Sequence, residues 1–464
     1  MFQKDVYINR RNKLQEKISS GIILILGNSE VSFNYPDNTY RWRQDSNFAY
    51  FFGLQLQNLA GVIDVDNNKH IIFGNELTLD EIVWMGPQPT LKQNAAKAGI
   101  KITKEYSELK NYLTENIRKG RRIHFLPAYR GEHYIELEEL LGINHKVVNN
   151  YVSIELVKAI ISIREIKEEI EIVEIEKAIN ITRDMHIKAM QMAKPGVYEY
   201  EIAGAVEGIA LQNNGYISFP VICSINGQTL HNHSHHNKLK KGRMLVLDAG
   251  AETDTLYAGD ITRSTPVGGV FDNRQKDIYE AVLAANIKGI ENIKPGRYNV
   301  ENHIAAVEVL LEHLKDLNLV KGNVQDAVMK GAGAFFMPHG LGHQMGMDVH
   351  DMEGLGENLV GYDKESDRSY IPGISSLRMG KKLKPGHVFT VEPGCYFIPE
   401  LFDKWYANGK CKEFINYDKV KEYLDFGGIR IEDDVLVTKN GHKVLGNPIP
   451  KTVDEIEEVC KSAK

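Results

Sequence analysis

The chain has 464 residues and a formal net charge of −6, and 42% of its residues are apolar while 25% are charged. This composition is that of an ordinary globular protein of about two to four domains, and the dispersed Lys and Arg residues argue against a nucleic-acid partner. Because the four cysteines form no C-x-x-C pair and no apolar run approaches the ~20 residues of a membrane span, we expect a soluble, cytoplasmic protein that binds no membrane.

The first third of the chain mixes short apolar runs with turn residues. Residues 22–26, 62–65 and 70–73 are apolar stretches that end at glycine or asparagine, which is the pattern of strands closed by turns. Helical stretches separate some of these strands. The pattern predicts a small α/β domain.

A long helical pattern follows. Residues 163–192 contain almost no helix breakers, and Ile166, Ile170 and Val173 recur at helical spacing. Pro195 and Gly196 end the pattern. Such a helix is a natural start for a second domain, so we expect domains at residues 1–158 and 159–464.

The remainder of the chain alternates strands and helices. Residues 244–247, 388–391 and 435–437 are strand candidates, and residues 277–293 and 300–315 are helical. No tandem repeat is evident. The predicted class is α+β, with helices packed on an antiparallel sheet.

Four segments rich in acidic residues and histidine lie at strand ends or glycine-rich turns: residues 245–263, 338–351, 390–394 and 428–434. Asp248 ends an apolar strand, where a buried carboxylate is costly unless it is paired. In the last segment, strand alternation places Arg430 and Glu432 on one face. Taken singly, Asp248 is also typical of a helix cap or a turn, Glu392 before Pro-Gly of a turn, and residues 432–434 of a solvated surface.

Taken together, the acids and one histidine predict a metal site. If Asp248, Asp260, Glu392 and Glu432 share a pocket with His343, the carboxylates cannot all ionise unaided, since like charges raise one another's pKa. Two divalent cations would cancel that charge, and oxygen ligands with one imidazole suit Mn²⁺, Co²⁺, Fe²⁺ or Zn²⁺. Two such ions ~3.5–4 Å apart form the hydrolytic site of many aminopeptidases.

These four segments, in this order, resemble those of the pita-bread metallopeptidases, the group of methionine aminopeptidase, aminopeptidase P and prolidase. The resemblance implies two divalent metal ions, with Mn²⁺ as the first choice and Co²⁺, Zn²⁺ or Fe²⁺ as alternatives. It also implies that Asp260 and Glu432 bridge both ions. Asp248 and Asp260 are twelve positions apart, one more than the usual family spacing, and the connecting hairpin would absorb the extra residue. The implied metal ligands are Asp248, Asp260, His343, Glu392 and Glu432.

The resemblance also implies roles beyond the ligands. Glu392 would carry the proton, and Arg430 would brace the ligand carboxylates. His231 would steady the scissile bond or the tetrahedral intermediate, whereas its neighbours His233, His235 and His236 are more simply loop histidines. The implied catalytic residues are His231, His350, Glu392 and Arg430. The implied substrate contacts are His231, His339, His350, Arg378, Tyr396 and Trp84.

The N-terminal domain narrows the choice within the group. Residues 40–53 resemble the signature of the creatinase-like aminopeptidase P N-terminal domain, which methionine aminopeptidase lacks. Creatinase itself shares the fold but lacks the metal ligands that are all present here. Trp84 resembles a tryptophan that this domain can present to an active site, sometimes that of a neighbouring subunit; core packing is the alternative.

Aminopeptidase P and prolidase both cleave Xaa-Pro bonds, but prolidase cuts dipeptides and needs a cation for the proline carboxylate. Arg378 resembles that cation, with a surface arginine as the alternative. We therefore expect an Xaa-Pro aminopeptidase, with an Xaa-Pro dipeptidase as the alternative and a non-catalytic pita-bread binding module as a remote one. The expected partners are peptides with proline at the second position and a second copy of the chain, in a homodimer or homotetramer.

Overall fold

The computed structural model describes residues 1–462 and divides into two compact units, Met1–Arg164 and Glu165–Lys464. The expected boundary between residues 158 and 159 lies inside the last helix of the first unit. Within residues 1–462, no helix combines the length and the apolarity needed to cross a membrane.

The first unit is built on one mixed five-stranded sheet. Its helices are α1 Lys4–Gln15, α2 Ser46–Phe52, α3 Leu79–Met85, α4 Leu91–Lys97, α5 Leu109–Arg118, α6 Gly131–Leu141 and α7 Ile154–Arg164. Its strands are β1 Ile22–Leu26, β2 Ser32–Tyr35, β3 Asn38–Thr39, β4 Ala60–Asp64, β5 Lys69–Phe73, β6 Ile102–Lys104 and β7 Ile123–His124. The strand order is β6-β5-β4-β1-β7, with β2 and β3 forming a separate hairpin. Apolar residues of β1, β4 and β5 pack with those of α5 and α6, which confirms the predicted small α/β domain.

The second unit combines long helices with short antiparallel strand pairs. Its helices are α8 Glu169–Met192, α9 Glu199–Gln212, α10 Asn273–Glu291, α11 Asn299–Asp316, α12 Val324–Met329, α13 Glu357–Gly361, α14 Pro399–Ala407, α15 Tyr417–Val420 and α16 Val453–Ser462. Its strands are β8 Tyr216–Ile217, β9 Ile222–Ser224, β10 Met244–Ala249, β11 Ala251–Glu252, β12 Ile261–Pro266, β13 Val388–Val391, β14 Gly394–Tyr396, β15 Gly428–Arg430, β16 Asp433–Val437 and β17 His442–Val444. The two three-stranded sheets have the orders β12-β10-β9 and β13-β16-β17. The predicted α+β class is confirmed.

The second unit contains two similar halves that the sequence pattern did not reveal. Each half has a helix pair, α8–α9 or α10–α11, joined through the same Lys-Pro-Gly tripeptide. After the tripeptide, the Gly196 N–H donates to the Leu239 carbonyl in the first half, and the Gly296 N–H donates to the Leu383 carbonyl in the second, at 2.9 and 2.8 Å. The strands that follow these leucines are β10 and β13. The two halves are therefore similar in that each has a strand, β10 or β13, that follows the leucine bonded to the tripeptide.

The helix predicted over residues 163–192 is wrong in one respect, because the structure interrupts it between α7 and α8. Glu168 is extended, with φ −72° and ψ 153°, and its N–H donates to the Glu171 carboxylate in the first turn of α8 at 2.9 Å. In the gap, the Lys167 N–H donates to the Gly386 carbonyl at 2.9 Å, and its ammonium pairs with Asp351 at 2.7 Å. These tertiary bonds outweigh a local helical pattern.

Candidate metal centre and active site

Two of the candidate ligands come from one β-hairpin. Asp248 lies in β10 and pairs with Thr262 of β12, while Asp260 directly precedes β12. The hairpin can close this tightly because Gly250 meets the backbone of Gly259, where any side chain would clash. Asp248 and Asp260 are therefore delivered to the same end of the hairpin, with less than a tenth of either residue exposed.

The histidine and the first glutamate come from two backbone segments that lie against each other. The His343 carbonyl accepts from the Thr390 N–H at 3.0 Å, and the Glu392 N–H donates to the Leu341 carbonyl at 2.8 Å. Between them, a Cβ on Gly342 would lie 1.9 Å from the Thr390 carbonyl oxygen. Only glycine permits this approach, so the glycine-rich loop brings His343 beside Glu392.

Glu432 comes from a break in a strand. Strand alternation was expected to place Arg430 and Glu432 on one face, but β15 ends at Arg430 and β16 begins at Asp433. In the break, the Glu432 N–H donates to the Thr262 carbonyl at 3.1 Å, and the Thr262 hydroxyl donates to Glu432 Oε2 at 2.6 Å. Arg430 and Glu432 still reach the same cavity, by this irregular route rather than by strand alternation.

These elements bring all five candidate ligands to one cavity of about 410 Å³. One ligand atom from each of Asp260, His343 and Glu432 lies within 4.8 Å of the others. His343 Nε2 is also 3.4 Å from Asp260 Oδ2 and 3.6 Å from Glu392 Oε1. The remaining candidate ligand, Asp248, lines the same cavity.

The cluster is electrostatically unbalanced without cations. Burial raises the pKa of Asp248 to about 7, and burial followed by the charge of Asp260 raises the pKa of Glu432 well above its ordinary value. Burial alone would lower the pKa of His343, but the carboxylates of Asp260 and Glu392 outweigh it and raise that pKa to about 9. Each shift reports an excess of negative charge in a dry site.

The donor set fits a pair of divalent cations. Among the described residues, buried Asp248 Oδ1 and Asp260 Oδ1 have no hydrogen-bond partner, although a buried carboxylate oxygen normally has one. Four carboxylates and one imidazole suit a hard or borderline divalent ion. The His343 Nδ1–H is 3.2 Å from the Gln344 carbonyl, which leaves Nε2 as the nitrogen available for a metal ion.

Arg430 connects the ligands to the wall of the cavity. It donates to Asp248 Oδ2 at 2.5 Å, to the Thr262 hydroxyl at 3.1 Å and to the Tyr396 hydroxyl at 2.9 Å. The Tyr396 hydroxyl is in turn 2.9 Å from His339 Nε2. This chain of bonds holds a ligand carboxylate and a cavity histidine in fixed positions, consistent with the bracing role expected for Arg430.

Four of the expected substrate contacts line the cavity: His231, His339, His350 and Arg378. The His350 ring lies against the His343 ring, with their centroids 3.8 Å apart. Burial and then the charge of Arg430 lower the pKa of His339 to about 3, so its imidazole is neutral. An apolar wall, which the sequence did not predict, is formed by Phe219, Pro220, Ile222, Leu230 and Val349.

Two expected substrate contacts lie elsewhere. The Tyr396 side chain is fully buried and does not line the cavity. Its hydroxyl is hydrogen-bonded to Arg430 and His339, which do line it. Its position is that of a support rather than of a pocket wall. Trp84 belongs to the first unit, where it is 87% exposed on α3; the alternative of core packing for this residue is wrong.

Sequence reasoning missed the groups behind the ligands. Thr262 bonds both Glu432 and Arg430, and the Thr390 hydroxyl donates to Glu392 Oε1 at 3.2 Å. Fully buried Asp434 accepts from the Asp260 N–H at 3.0 Å. Each of these residues lies two positions from a predicted ligand in the sequence. That short spacing is the feature by which the sequence could have identified them.

Comparison with known proteins gives a consistent result for both units. The description "Metallopeptidase family M24" matches residues 173–439, and "Aminopeptidase P, N-terminal domain" matches residues 7–124. A human Xaa-Pro dipeptidase is 32% identical over 454 residues, which cover 95% of this chain and 89% of the human protein. A probable Xaa-Pro aminopeptidase from Aspergillus clavatus is 30% identical over 451 residues, with 95% and 93% covered. A zinc-substituted E. coli aminopeptidase P in complex with product is 26% identical, with a TM-score of 0.82 over 100% of this chain and 99% of the E. coli chain.

Proposed function

The chain belongs to metallopeptidase family M24, and from this premise we propose that it is an Xaa-Pro aminopeptidase, which releases the first residue of peptides that carry proline at the second position. The observation that carries the proposal is that four carboxylates and one imidazole, the five candidate ligands, line one cavity together with apolar side chains. The similarity to Xaa-Pro dipeptidases and aminopeptidases along almost the whole chain supports the same substrate class.

Metal ligation is proposed for Asp248, Asp260, His343, Glu392 and Glu432. When bound there, two divalent cations supply an acidified water as the nucleophile and polarise the scissile carbonyl. We propose Mn²⁺, because the donor set is rich in oxygen.

The chain's own residues handle the substrate and the proton. Glu392 accepts the proton that the attacking water loses and delivers it to the prolyl nitrogen as the C–N bond breaks. The Thr390 hydroxyl holds Glu392 Oε1, which leaves Oε2 for this transfer. His231 lines the cavity, where its imidazole N–H can donate to the carbonyl oxygen as it gains charge, and His350 lines the same cavity as a second contact for the substrate.

Proline suits this cavity for a physical reason. Its ring fixes φ, and its nitrogen carries no hydrogen to be satisfied. An apolar wall such as that of Phe219, Leu230 and Val349 can cover the ring without leaving a buried donor unpaired. An ordinary residue at the same place would bury an N–H that this wall cannot accept.

An Xaa-Pro dipeptidase is a second candidate, and the position of Arg378 favours it. Arg378 lies on the cavity wall rather than on an open surface. A guanidinium there can bind the free carboxylate of a C-terminal proline, which only a dipeptide presents directly after the scissile bond.

Two further features support proposals about the oligomeric state and the cellular compartment of the protein. Leu79, Val83 and Trp84 expose a large part of their side chains on α3, which supports a homodimer or homotetramer that covers them. The four cysteines are free, which supports a reducing compartment and therefore the cytoplasm.

The experiment is hydrolysis of Ala-Pro, Ala-Pro-Ala and Ala-Ala-Ala by the purified chain with Mn²⁺ added. We expect cleavage of proline peptides only; cleavage of the tripeptide indicates an aminopeptidase, and cleavage of the dipeptide alone indicates a dipeptidase. Equal cleavage of Ala-Ala-Ala would contradict proline specificity.

The role of Glu392 is tested by Glu392→Gln in the same assay. Because the amide cannot carry the proton, we expect kcat at saturating Mn²⁺ to fall by about two to four orders of magnitude, with mass spectrometry used to check that the metal sites are filled. Full activity at unchanged metal content would contradict the assignment.

A further inference from the structure

Behind the cavity lies an acidic residue that none of the roles above uses. Glu353 starts the short helical turn 353–355, directly after Met352, whose φ of 63° turns the chain sharply. Glu353 does not line the large cavity; it lines a small pocket behind it, together with His350 and Arg378. Its side chain therefore contacts two cavity residues from outside the cavity.

One carboxylate holds both of these residues. The His350 Nδ1–H donates to Glu353 Oε2, and the Arg378 guanidinium donates to Glu353 Oε1. Burial alone would raise the pKa of Glu353, but the hydrogen bond and charge of His350, followed by those of Arg378, lower it to about 2. Glu353 is therefore a carboxylate at neutral pH and accepts with both oxygens.

This arrangement fixes the hydrogen-bonding state of His350. Since a carboxylate has no hydrogen to donate, Nδ1 of His350 carries one. The remaining nitrogen, Nε2, is the one available to the cavity. The same carboxylate removes much of the rotational freedom of the long Arg378 side chain, which is otherwise costly to order on substrate binding.

We propose that Glu353 is a positioning residue that anchors His350 and Arg378 together, so that recognition of the substrate's carboxylate and the hydrogen bond that Nε2 of His350 accepts in the cavity both depend on one side chain. The inference rests on the proposed function and adds a determinant of substrate length to it. Glu357 contributes less to Arg378, because its carboxylate forms an ion pair with the guanidinium at 3.7 Å without a hydrogen bond and accepts its hydrogen bond from Arg368. It makes no hydrogen bond to His350 among the described residues.

The test compares Ala-Pro with Ala-Pro-amide, which lacks the carboxylate. For Glu353→Ala we expect kcat/KM to fall about a hundredfold on Ala-Pro, where both contacts matter, and about tenfold on the amide, where only His350 matters. Glu353→Gln keeps one acceptor oxygen, so we expect its kcat/KM on Ala-Pro to lie between the values of wild type and Glu353→Ala. In an Arg378→Ala background, Glu353→Ala should cost only about tenfold on Ala-Pro, because the two residues act as a unit.

Glu138→Ala is the matched control. The Glu138 carboxylate accepts from the His145 Nδ1–H at 2.5 Å on the exposed surface of the first unit, and its loss should leave both kcat/KM values unchanged. Melting temperature and metal content are measured for every variant. Equal losses on Ala-Pro and its amide, or additive losses with Arg378→Ala, would overturn the inference. Wild-type protein that cleaves Ala-Pro-Ala but neither of these two substrates would also overturn the inference, whereas wild-type protein that cleaves none of the three would overturn the proposed function on which it rests.

Discussion

The Arg430 side chain shows how much of the site depends on a single residue. Its planar guanidinium bonds Asp248, Thr262 and Tyr396 at the same time. Lysine carries the same charge but cannot direct donors to three partners in one plane. Arg430 therefore supplies geometry as well as charge.

Arg430→Lys tests this role. We expect metal affinity to fall about 10–100-fold, as for other residues that support metal ligands, which titration calorimetry with Mn²⁺ measures. Arg183→Lys, at an exposed pair with Asp184, is the control and should not change the affinity. Unchanged affinity in Arg430→Lys would show that charge alone is needed.

Glu165 is a second residue whose environment makes a measurable prediction. It is bonded to Lys381 at 2.5 Å and to Lys384 at 3.0 Å. Burial alone would raise its pKa, but the charge of Lys381, its hydrogen bond and further cationic neighbours lower the pKa to about 2. Burial also lowers the pKa of Lys381, so desolvation of the lysine offsets part of the gain.

Because the folded-state pKa of Glu165 is below its ordinary value of 4.5, the stability it contributes is fully present above about pH 4.5 and lost as the pH falls to about 2. We expect Glu165→Gln to lower the free energy of unfolding by ~3–5 kcal/mol at pH 7, because it leaves a buried lysine without its charge partner, with the difference from wild type shrinking below pH 4.5. Urea unfolding at several pH values measures this. Glu176→Gln, at an exposed pair with Lys443, should cost less than ~1 kcal/mol at every pH; a pH-independent loss for Glu165→Gln would contradict the account.

At the scale of elements, local patterns predicted the regular structure well. The strand over residues 22–26 and the helices near residues 277–293 and 300–315 lie almost where the pattern placed them, because apolar periodicity reflects the buried face directly. The break between α7 and α8 was not predictable in this way. It depends on Lys167 meeting Asp351, which is remote in sequence.

The candidate site shows the same division. The ligand set was predictable because acids and histidine at strand ends form a recognisable pattern, whereas Glu353 and Thr262 were not singled out. Their importance comes from the partners that the fold brings to them. The buried place of Tyr396 likewise depends on Arg430, which no local pattern reveals.

The contact between the loop around His343 and strand β13 depends on Gly342. An added Cβ would overlap the Thr390 carbonyl, so Gly342→Ala should separate the two elements that carry His343 and Glu392. We expect loss of metal binding and of at least about 2 kcal/mol of stability. Gly208→Ala, in α9 with open space around the glycine, is the control and should be neutral or slightly stabilising. Retained metal affinity in Gly342→Ala would contradict this role for the contact.

At the scale of the whole chain, the two units have different tasks. The ligands and the cavity all belong to the second unit, Glu165–Lys464. Its two similar halves each supply a candidate ligand from a strand end, Asp248 at the end of β10 and Glu392 directly after β13. The first unit supplies the exposed apolar face of α3 instead, which is suited to contact between chains.

The most direct test of the account is to follow hydrolysis of an Ala-Pro peptide while metal-free protein is titrated with Mn²⁺. Four carboxylates and one imidazole in one cavity predict no hydrolysis without metal, a rate that rises with occupancy, and saturation at about two ions per chain. Asp260→Asn should remain inactive throughout the titration. Full hydrolysis by metal-free protein in the presence of a chelator, or full activity of Asp260→Asn, would contradict the claim that this cluster is a metal-dependent peptidase centre.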